Sequence, residues 1–280
     1  MLHLAPNLLS GVSRPYVIYA AEKLVNPILR MSRTGSLLIT GGNGGIGLET
    51  VRQLVSMENG PKYIFACCES LDNIKDLKQI QDNSRACHIH ILQLDVTDKD
   101  SINRAKEQVQ YIVQENGLNT LINNAGLNSS RNFDDLTAEI MMLEYNIMVV
   151  GTMMMIKAFL PLIKTAAERS TINGMAWNKA AILNTTSQFG SISLNRGIHM
   201  SYSACKAALN HLTTSVSIHV KDFGILCTVL HPGWVRTDMG GSNAPLSVEE
   251  SVKGLLDVYC KLDIESTGRF IDFKGVEIPW

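Results

Sequence analysis

The sequence predicts an α/β protein built on one doubly wound parallel sheet of about seven strands, with helices on both faces. Short apolar runs alternate with longer segments of helical periodicity, the pattern of repeated βαβ units. The glycine-rich string Thr40-Gly41-Gly42-Asn43-Gly44-Gly45-Ile46-Gly47 joins the first apolar run to the first helical segment. Two further strings, Asn123-Asn124-Ala125-Gly126 and Tyr202-Ser203-Ala204-Cys205-Lys206, follow where the carboxyl ends of such strands gather on one rim.

The elements follow in order. Ser36-Leu37-Leu38-Ile39 is the first strand, and Ile46 to Met57 is helical because Ile46, Val51, Leu54 and Val55 recur at helical spacing. Tyr63–Cys67, His88–Leu94, Thr120–Ile122, Ala181–Asn184 and Ile225–Leu230 read as the next five strands, and Arg269–Ile271 as a short last one. Helices are expected near Asp72–Asp82, Asp98–Asn116, Ala138–Thr165, Tyr202–Lys221 and Ser247–Leu262. Right-handed crossovers then cover both faces of the sheet.

Composition narrows the function classes. With 280 residues, 45% of them hydrophobic, the chain can bury a full core in one domain, placed at residues 36–280. A net charge of -1 argues against a polyanionic partner, so no nucleic acid is expected. The six cysteines show no zinc-type pairing and mostly sit in apolar contexts, so no metal site is expected and a reducing compartment, the cytoplasm, is. No uncharged apolar run approaches the length of about 20 residues that a membrane span needs, so a soluble protein is expected. Residues 1–35 stand apart as an N-terminal extension, with Arg14, Lys23, Arg30 and Arg33 against the single acid Glu22. Such a segment resembles a mitochondrial targeting peptide over residues 1–30. A docked surface helix limited by Pro27, or an upstream segment outside the working protein, are the alternatives; Met31 stands where a compact chain of this type could begin.

The glycine string sits between strand and helix, where glycines let the backbone approach a diphosphate while free helical N–H groups attract its charge. A tight turn alone would also select glycine. On a helix, Tyr202 and Lys206 lie on one face about a turn apart, so the ammonium can stabilise a phenolate and pull the phenol down toward neutrality. Taken alone, such a pair also suits a solvated helix face. The buried strand that ends in Asn184-Thr185-Thr186-Ser187 brings hydroxyls to the rim beside Tyr202. Ser187 is the candidate to hold a substrate carbonyl oxygen, with Thr186 competing and a plain cap or turn role as the alternative.

These residues resemble the short-chain dehydrogenase/reductase family. Thr40, Gly41, Gly45 and Gly47 match its glycine pattern, residues 123–126 its Asn-Asn-Ala-Gly string, and Tyr202 with Lys206 its Tyr-x-x-x-Lys pair. Leu94-Asp95-Val96-Thr97, the string His231 to Gly241 and the closing Glu277-Ile278-Pro279-Trp280 resemble its sniffer-like (C-factor-like) carbonyl-reductase branch. The resemblance implies a Rossmann-type fold and hydride transfer between a nicotinamide and a carbonyl or secondary alcohol. It assigns Tyr202 as general acid/base, assisted by Lys206, Ser187 and Asn146; for Asn146, capping of a helix irregularity is the alternative.

The family analogy also places the cofactor. The phosphates fall to Thr40, Gly41, Asn43, Gly45, Ile46 and Gly47, the adenine pocket to Asp95 and Val96, and the ribose and central site to Asn123, Ala125 and Gly126. Tyr202 and Lys206 reach the nicotinamide ribose, and Pro232, Gly233, Val235 and Thr237 line the nicotinamide. For the last string, Pro232-Gly233 ending a strand and Trp234 filling the core are the alternatives. NAD is favoured over NADP, because Glu69 and Gly44 stand where relatives preferring a 2′-phosphate carry basic residues. Lys75 or Arg131 folding in would reverse that preference. The substrate pocket is expected from loops Leu127–Leu136, Phe189–Met200 and a flexible Gly240–Leu246. A homodimer or homotetramer is implied by the family. A catalytically silent dinucleotide-binding scaffold or regulatory protein is the competing class. Met141, Met142, Met148 and Met153–Met155 read as core or, alternatively, as a subunit interface.

Overall fold

The structure, a computed structural model, describes residues 35–129 and 132–280. The expected N-terminal extension, apart from Gly35, and Arg131 lie outside the described residues.

Seven strands form one sheet: β1 (Ser36–Thr40), β2 (Tyr63–Cys68), β3 (His88–Gln93), β4 (Thr120–Asn123), β5 (Ala181–Thr185), β6 (Leu226–His231) and β7 (Phe270–Asp272). All pairings are parallel, in the order β3-β2-β1-β4-β5-β6-β7. The chain therefore reverses its direction of winding between β1 and β4, and the crevice at that switch point opens at the strands' carboxyl ends. Strands β1, β4 and β6 are buried along their whole length, as expected of unbroken apolar runs covered on both faces.

Alternation of side chains along each strand divides the core in two. Leu37 and Ile39 of β1 face α1 (Gly45–Ser56), α2 (Lys75–Asn83) and α7 (Val248–Tyr259), through Leu48, Val51, Leu54, Leu77, Val252 and Leu255. Leu38 faces the other side, where α3 (Lys99–Val113), α5 (Thr152–Arg169) and α6 (Met200–Val220) contribute Ile102, Val109, Phe159, Ile163 and Val216. Capping fixes several starts. Asp98 accepts the Asp100 N–H ahead of α3, and Ser247 forms a reciprocal capping box with Glu250 ahead of α7.

One helix departs from its sequence pattern. The segment expected as a single helix over Ala138–Thr165 is α4 (Ala138–Tyr145), a π-helical turn (Asn146–Gly151) and α5. Each π turn inserts an extra residue and rotates the faces that follow, which a 3.6-residue period does not reveal. The whole stretch Ala138–Arg169 is by length and composition also apolar enough to cross a membrane, although Glu139, Glu144, Lys157, Lys164, Glu168 and Arg169 interrupt it, so the expectation of no uncharged run of that length stands. Half of its apolar window is buried within the fold, where Met155, Ile156, Phe159 and Ile163 pack on the sheet. The methionines divide accordingly: Met148 and Met155 are core, whereas Met141, Met142 and Met154 are exposed.

Candidate functional site

The glycine turn leaves β1 at Thr40, whose hydroxyl oxygen accepts the backbone N–H groups of Asn124 and Ala125, both at 2.9 Å. Asn124 returns the contact, its amide donating to Thr40 O at 3.1 Å. Thr40 and Asn124 thus staple the two loops that flank the switch point, and the Thr40 hydroxyl is engaged with the protein itself. Gly47 is required by a close approach, since a Cβ there would lie 2.0 Å from Gly41 O. The N-terminus of α1 carries no side-chain cap and no acidic residue in its first turn, and Gly44 faces open space. Free N–H groups at a helix start without a side-chain cap suit an anion.

The rest of the crevice continues from this turn. Glu69, just beyond β2, is exposed, and its side chain makes no described hydrogen bond. Asp95 is half-buried and accepts both the N–H and the hydroxyl of Thr97, while Val96 packs against the Gly151 backbone. Asn123 donates from its amide to Asn184 Oδ1 at 2.8 Å, and its own Oδ1 is buried without a partner. That orphaned oxygen on the crevice floor, with the open helix start, fits a polar dinucleotide lying along the carboxyl ends of β1, β2 and β4.

Beyond β6, the expected nicotinamide segment is a compact loop. Pro232 O accepts the Ser251 hydroxyl at 2.6 Å, and Val235 is buried and bridges to Leu246. Thr237 comes to 3.2 Å of a Cβ built on Gly45, so this loop closes over the glycine turn. Trp234 does not fill the core; it is 53% exposed and donates from its indole to Gly240 O. The expected flexible segment Gly240–Leu246 is tied back, with Arg236 donating to Ala244 O and Pro245 O and Leu246 N to Trp234 O.

Tyr202 and Lys206 lie in the first turns of α6 and are both buried. Lys206 Nζ donates to Thr185 O at 2.9 Å, lies 5.5 Å from the Tyr202 ring centroid and comes within 3.8 Å of a Cβ built on Gly126. The ammonium therefore ties the tyrosine helix to the end of β5 and lies near the Asn-Asn-Ala-Gly loop. Ser187 sits within hydrogen-bonding reach of the Tyr202 hydroxyl and also accepts the Phe189 N–H, so it caps a short helical turn and faces the phenol at once. Thr186, the competing hydroxyl, donates to Asn210 Oδ1 at 2.7 Å and is turned into the protein. Asn146 opens the π turn; its backbone N–H donates to Leu143 O and Met142 O, and its side chain is exposed and makes no described hydrogen bond.

The electrostatics differ from the expectation that Lys206 pulls Tyr202 down. Burial pushes Tyr202 up to about 12; the Ser187 hydrogen bond opposes this, and Glu144 and Cys205 add to it. Burial also lowers Lys206 to about 8. Burial dominates for both side chains, so at neutral pH a neutral phenol stands beside the Lys206 ammonium.

Two residues at the site were not foreseen. Asn210, one turn beyond Lys206, is buried; besides accepting from Thr186 it donates to Gly190 O at 3.2 Å. Its i+4 spacing from Lys206 is the signal that could have placed it on the site-facing side of α6. Glu144, 1% exposed, accepts the Ser129 N–H and hydroxyl and lies close enough to Tyr202 to act on it. A lone glutamate in an otherwise apolar stretch was the only signal for it.

Comparison with known proteins agrees with this fold. The profile described as short chain dehydrogenase matches residues 36–245. The carbonyl reductase Sniffer of D. melanogaster is similar at 34% identity and a TM-score of 0.85, covering 89% of this chain and all of that one. An NADPH-bound carbonyl reductase from chicken fatty liver is similar at 36% identity and a TM-score of 0.83, with the same coverage. The C-signal protein of Myxococcus xanthus is 35% identical over 165 residues, 58% of this chain and 93% of its own length.

Proposed function

The chain belongs to the short-chain dehydrogenase family, and on that premise we propose that it reduces the carbonyl group of small to medium, largely apolar aldehydes or ketones, or oxidises the matching secondary alcohols. One observation carries the reading: the buried Tyr202 hydroxyl lies beside Ser187 at the mouth of the crevice, with Lys206 Nζ 5.5 Å from its ring. When bound, a reduced nicotinamide supplies the hydride.

The chain's own residues supply orientation and the proton. Ser187 and Tyr202 hold the substrate oxygen by hydrogen bonds, fixing the carbonyl carbon in place. As charge develops on that oxygen, Tyr202 gives up its hydroxyl proton, which burial keeps on the phenol until the substrate oxygen takes it. Lys206, anchored on Thr185 O, offsets the phenolate left behind. Asn146, exposed at the start of the π turn, would link this pair to solvent water, as the family resemblance implies.

Gly41, Asn43, Gly45, Ile46 and Gly47 would hold the dinucleotide phosphates, Asp95 and Val96 the adenine, and Asn123, Ala125 and Gly126 the ribose. Pro232, Gly233, Val235 and Thr237 would flank the nicotinamide. NAD is the preferred partner in this reading, because exposed Glu69 repels a 2′-phosphate and Gly44 offers it no cation. The exposed apolar residues Met141, Met142, Leu143, Tyr145, Val150 and Met154 on one helical stretch support a homodimer or homotetramer. Six free thiols, five of them buried, support a reducing compartment such as the cytoplasm; residues 1–30 acting as a transit peptide would direct the chain to mitochondria instead.

A dinucleotide-binding scaffold or regulatory protein is the second reading, favoured by the similarity to C-signal. It needs no proton donor. Oxidation of NADH and NADPH with a panel of quinones, aldehydes and ketones, with Tyr202→Phe as control, separates the two. Turnover lost in the variant supports the reductase; equal inactivity with intact cofactor binding supports the scaffold.

A further inference from the structure

One loop beside the site is held from far away in the chain. Residues 191–198 run between the Ser187 turn and the first turn of α6, and Ile192, Leu194 and Ile198 stand exposed on them, Ile192 at 77%. Among the described residues, the hydrogen bonds of 191–197 join positions two or three apart, with one exception. Ser193 donates both its N–H, at 3.0 Å, and its hydroxyl to the Trp280 carbonyl oxygen. The other end of that tie is anchored on the sheet edge. After β7 the chain turns and comes back antiparallel to the strand, with Ile278 N donating to Phe270 O at 2.7 Å and Arg269 paired with Glu277 at 3.1 Å. Ile278 is buried with Val229 and Phe270, and the Trp280 ring lies over Phe270 with centroids 5.4 Å apart. At the loop's far end Gly197 and His199 both take positive φ. Such a conformation is costly for histidine, so the contacts around the loop, rather than its own preference, hold the bend. The His199 ring packs on Phe189, whose ring in turn meets that of Tyr202.

We propose that Trp280 and Ser193 are positioning residues for substrate specificity: they hold the apolar loop 191–198 beside Ser187 and Tyr202, where it receives the bulky apolar group of a ketone or aldehyde. The inference rests on the carbonyl-reductase reading and deepens it. Apolar side chains left exposed together beside a polar site mark a surface that a ligand covers. With Trp280 as its one distant hydrogen-bond partner, this loop loses its place when that tie is cut. The reacting centre does not, because Asn210 grips the turn of Ser187 through Thr186 and Gly190. Cutting the tie therefore weakens the binding of a substrate large enough to reach the loop and spares one that occupies only the reacting centre.

Steady-state kinetics on the full chain with saturating reduced nicotinamide test this, using a bulky aryl ketone and a small aliphatic aldehyde side by side. Trp280→Ala removes the ring that seats the carbonyl oxygen on Phe270. Its KM for the aryl ketone should rise about tenfold, while kcat for that ketone and both constants for the aldehyde stay within about twofold. Trp280→Phe, which keeps a ring for Phe270, should restore the wild-type KM. Ser193→Ala loses the hydroxyl bond and keeps the N–H, so a smaller rise of the same kind is expected; it carries the test if Trp280→Ala does not accumulate as folded protein. Hydrogen exchange supplies a readout without turnover. The amides of 191–198, Ser193 foremost, should exchange faster in Trp280→Ala while those of β1 and β4 are unchanged, whereas a general loosening of the fold would speed both. Equal KM changes for the two substrates, or unaltered exchange in the loop, overturns the inference alone. A wild type that reduces neither carbonyl overturns the reductase reading, and the specificity claim with it.

Discussion

Asn210 accepts the Thr186 hydroxyl at 2.7 Å and, through its amide, donates to Gly190 O at 3.2 Å, so one buried side chain on α6 grips both ends of the turn that carries Ser187. The turn also touches α6 directly, since a Cβ on Gly190 would lie 2.9 Å from the Lys206 carbonyl. The position of Ser187 relative to Tyr202 is therefore set by Asn210 rather than by β5 alone. Asn210→Ala removes two hydrogen bonds and leaves the Thr186 hydroxyl buried and unpaired, a loss of about 2–3 kcal/mol in stability. Chemical denaturation measures that loss. In the folded variant kcat for carbonyl reduction should drop about tenfold while cofactor affinity stays unchanged, because small displacements of a positioned hydroxyl are costly. An unchanged kcat would mean that Ser187 is held by other contacts.

Tyr202→Phe deletes the proposed proton donor and leaves the ring that packs against Met148, Val149 and Cys205. Turnover should fall by about 10²–10⁴-fold, the usual scale of general acid catalysis, with the unfolding midpoint little changed. Steady-state kinetics alongside cofactor titration by nicotinamide fluorescence check both halves. Ser187→Ala should lower kcat less, since Tyr202 remains to hold the carbonyl oxygen.

Much of this arrangement was legible in the residues. The strands lie within a residue or two of their apolar runs, because a fully covered parallel strand has to be apolar along its length. The glycine string, Tyr202 and Lys206 carry spacings that few other structures demand. What stayed hidden depends on contacts between distant segments. The π turn at Asn146 leaves no trace in a 3.6-residue pattern. The choice between Thr186 and Ser187 is made by Asn210, more than twenty residues downstream. Trp234 faces solvent because its loop folds back on Gly240, which hydrophobicity alone does not reveal. The direction of the Tyr202 shift depended on how deeply the helix start is buried, and Glu144 could be recognised only once Ser129 was seen to approach it.

Lys206 links pH to stability. Burial lowers it from 10.5 in the unfolded chain to about 8 in the fold, so below about 8 both states carry the proton and the folded state bears the full cost of a buried cation. Between those two values the unfolded state binds more protons, so this residue's contribution to stability rises with pH across that window and is constant outside it. The buried thiols Cys67, Cys205 and Cys227, all shifted upward, act in the opposite sense at alkaline pH. Comparing wild type with Lys206→Met therefore isolates the lysine. The variant should be more stable near neutrality by about 1–3 kcal/mol, with the difference shrinking as pH rises, while its activity is lost. Denaturant titrations at several pH values check the sign; a variant that is less stable at neutrality would show that the Thr185 hydrogen bond outweighs the burial of the charge.

The choice of cofactor turns on Glu69, exposed past the end of β2 and not joined in any described ion pair. A carboxylate there can accept hydrogen bonds from a ribose diol and repels a 2′-phosphate, so NADH should show the lower KM in the wild type. Glu69→Arg reverses the local charge and offers a guanidinium fork to phosphate, and it should raise kcat/KM for NADPH by about tenfold or more. Gly44→Arg adds a cation at the start of α1, where a Cβ meets nothing within 4 Å, so the side chain fits without disturbing the turn and should act in the same direction. Both effects act on binding rather than on proton transfer, so they should appear in KM and leave kcat with saturating cofactor nearly unchanged. A wild type that already prefers NADPH would place the phosphate away from Glu69, against Lys75 at the start of α2, and Lys75→Ala would then be the variant that loses it.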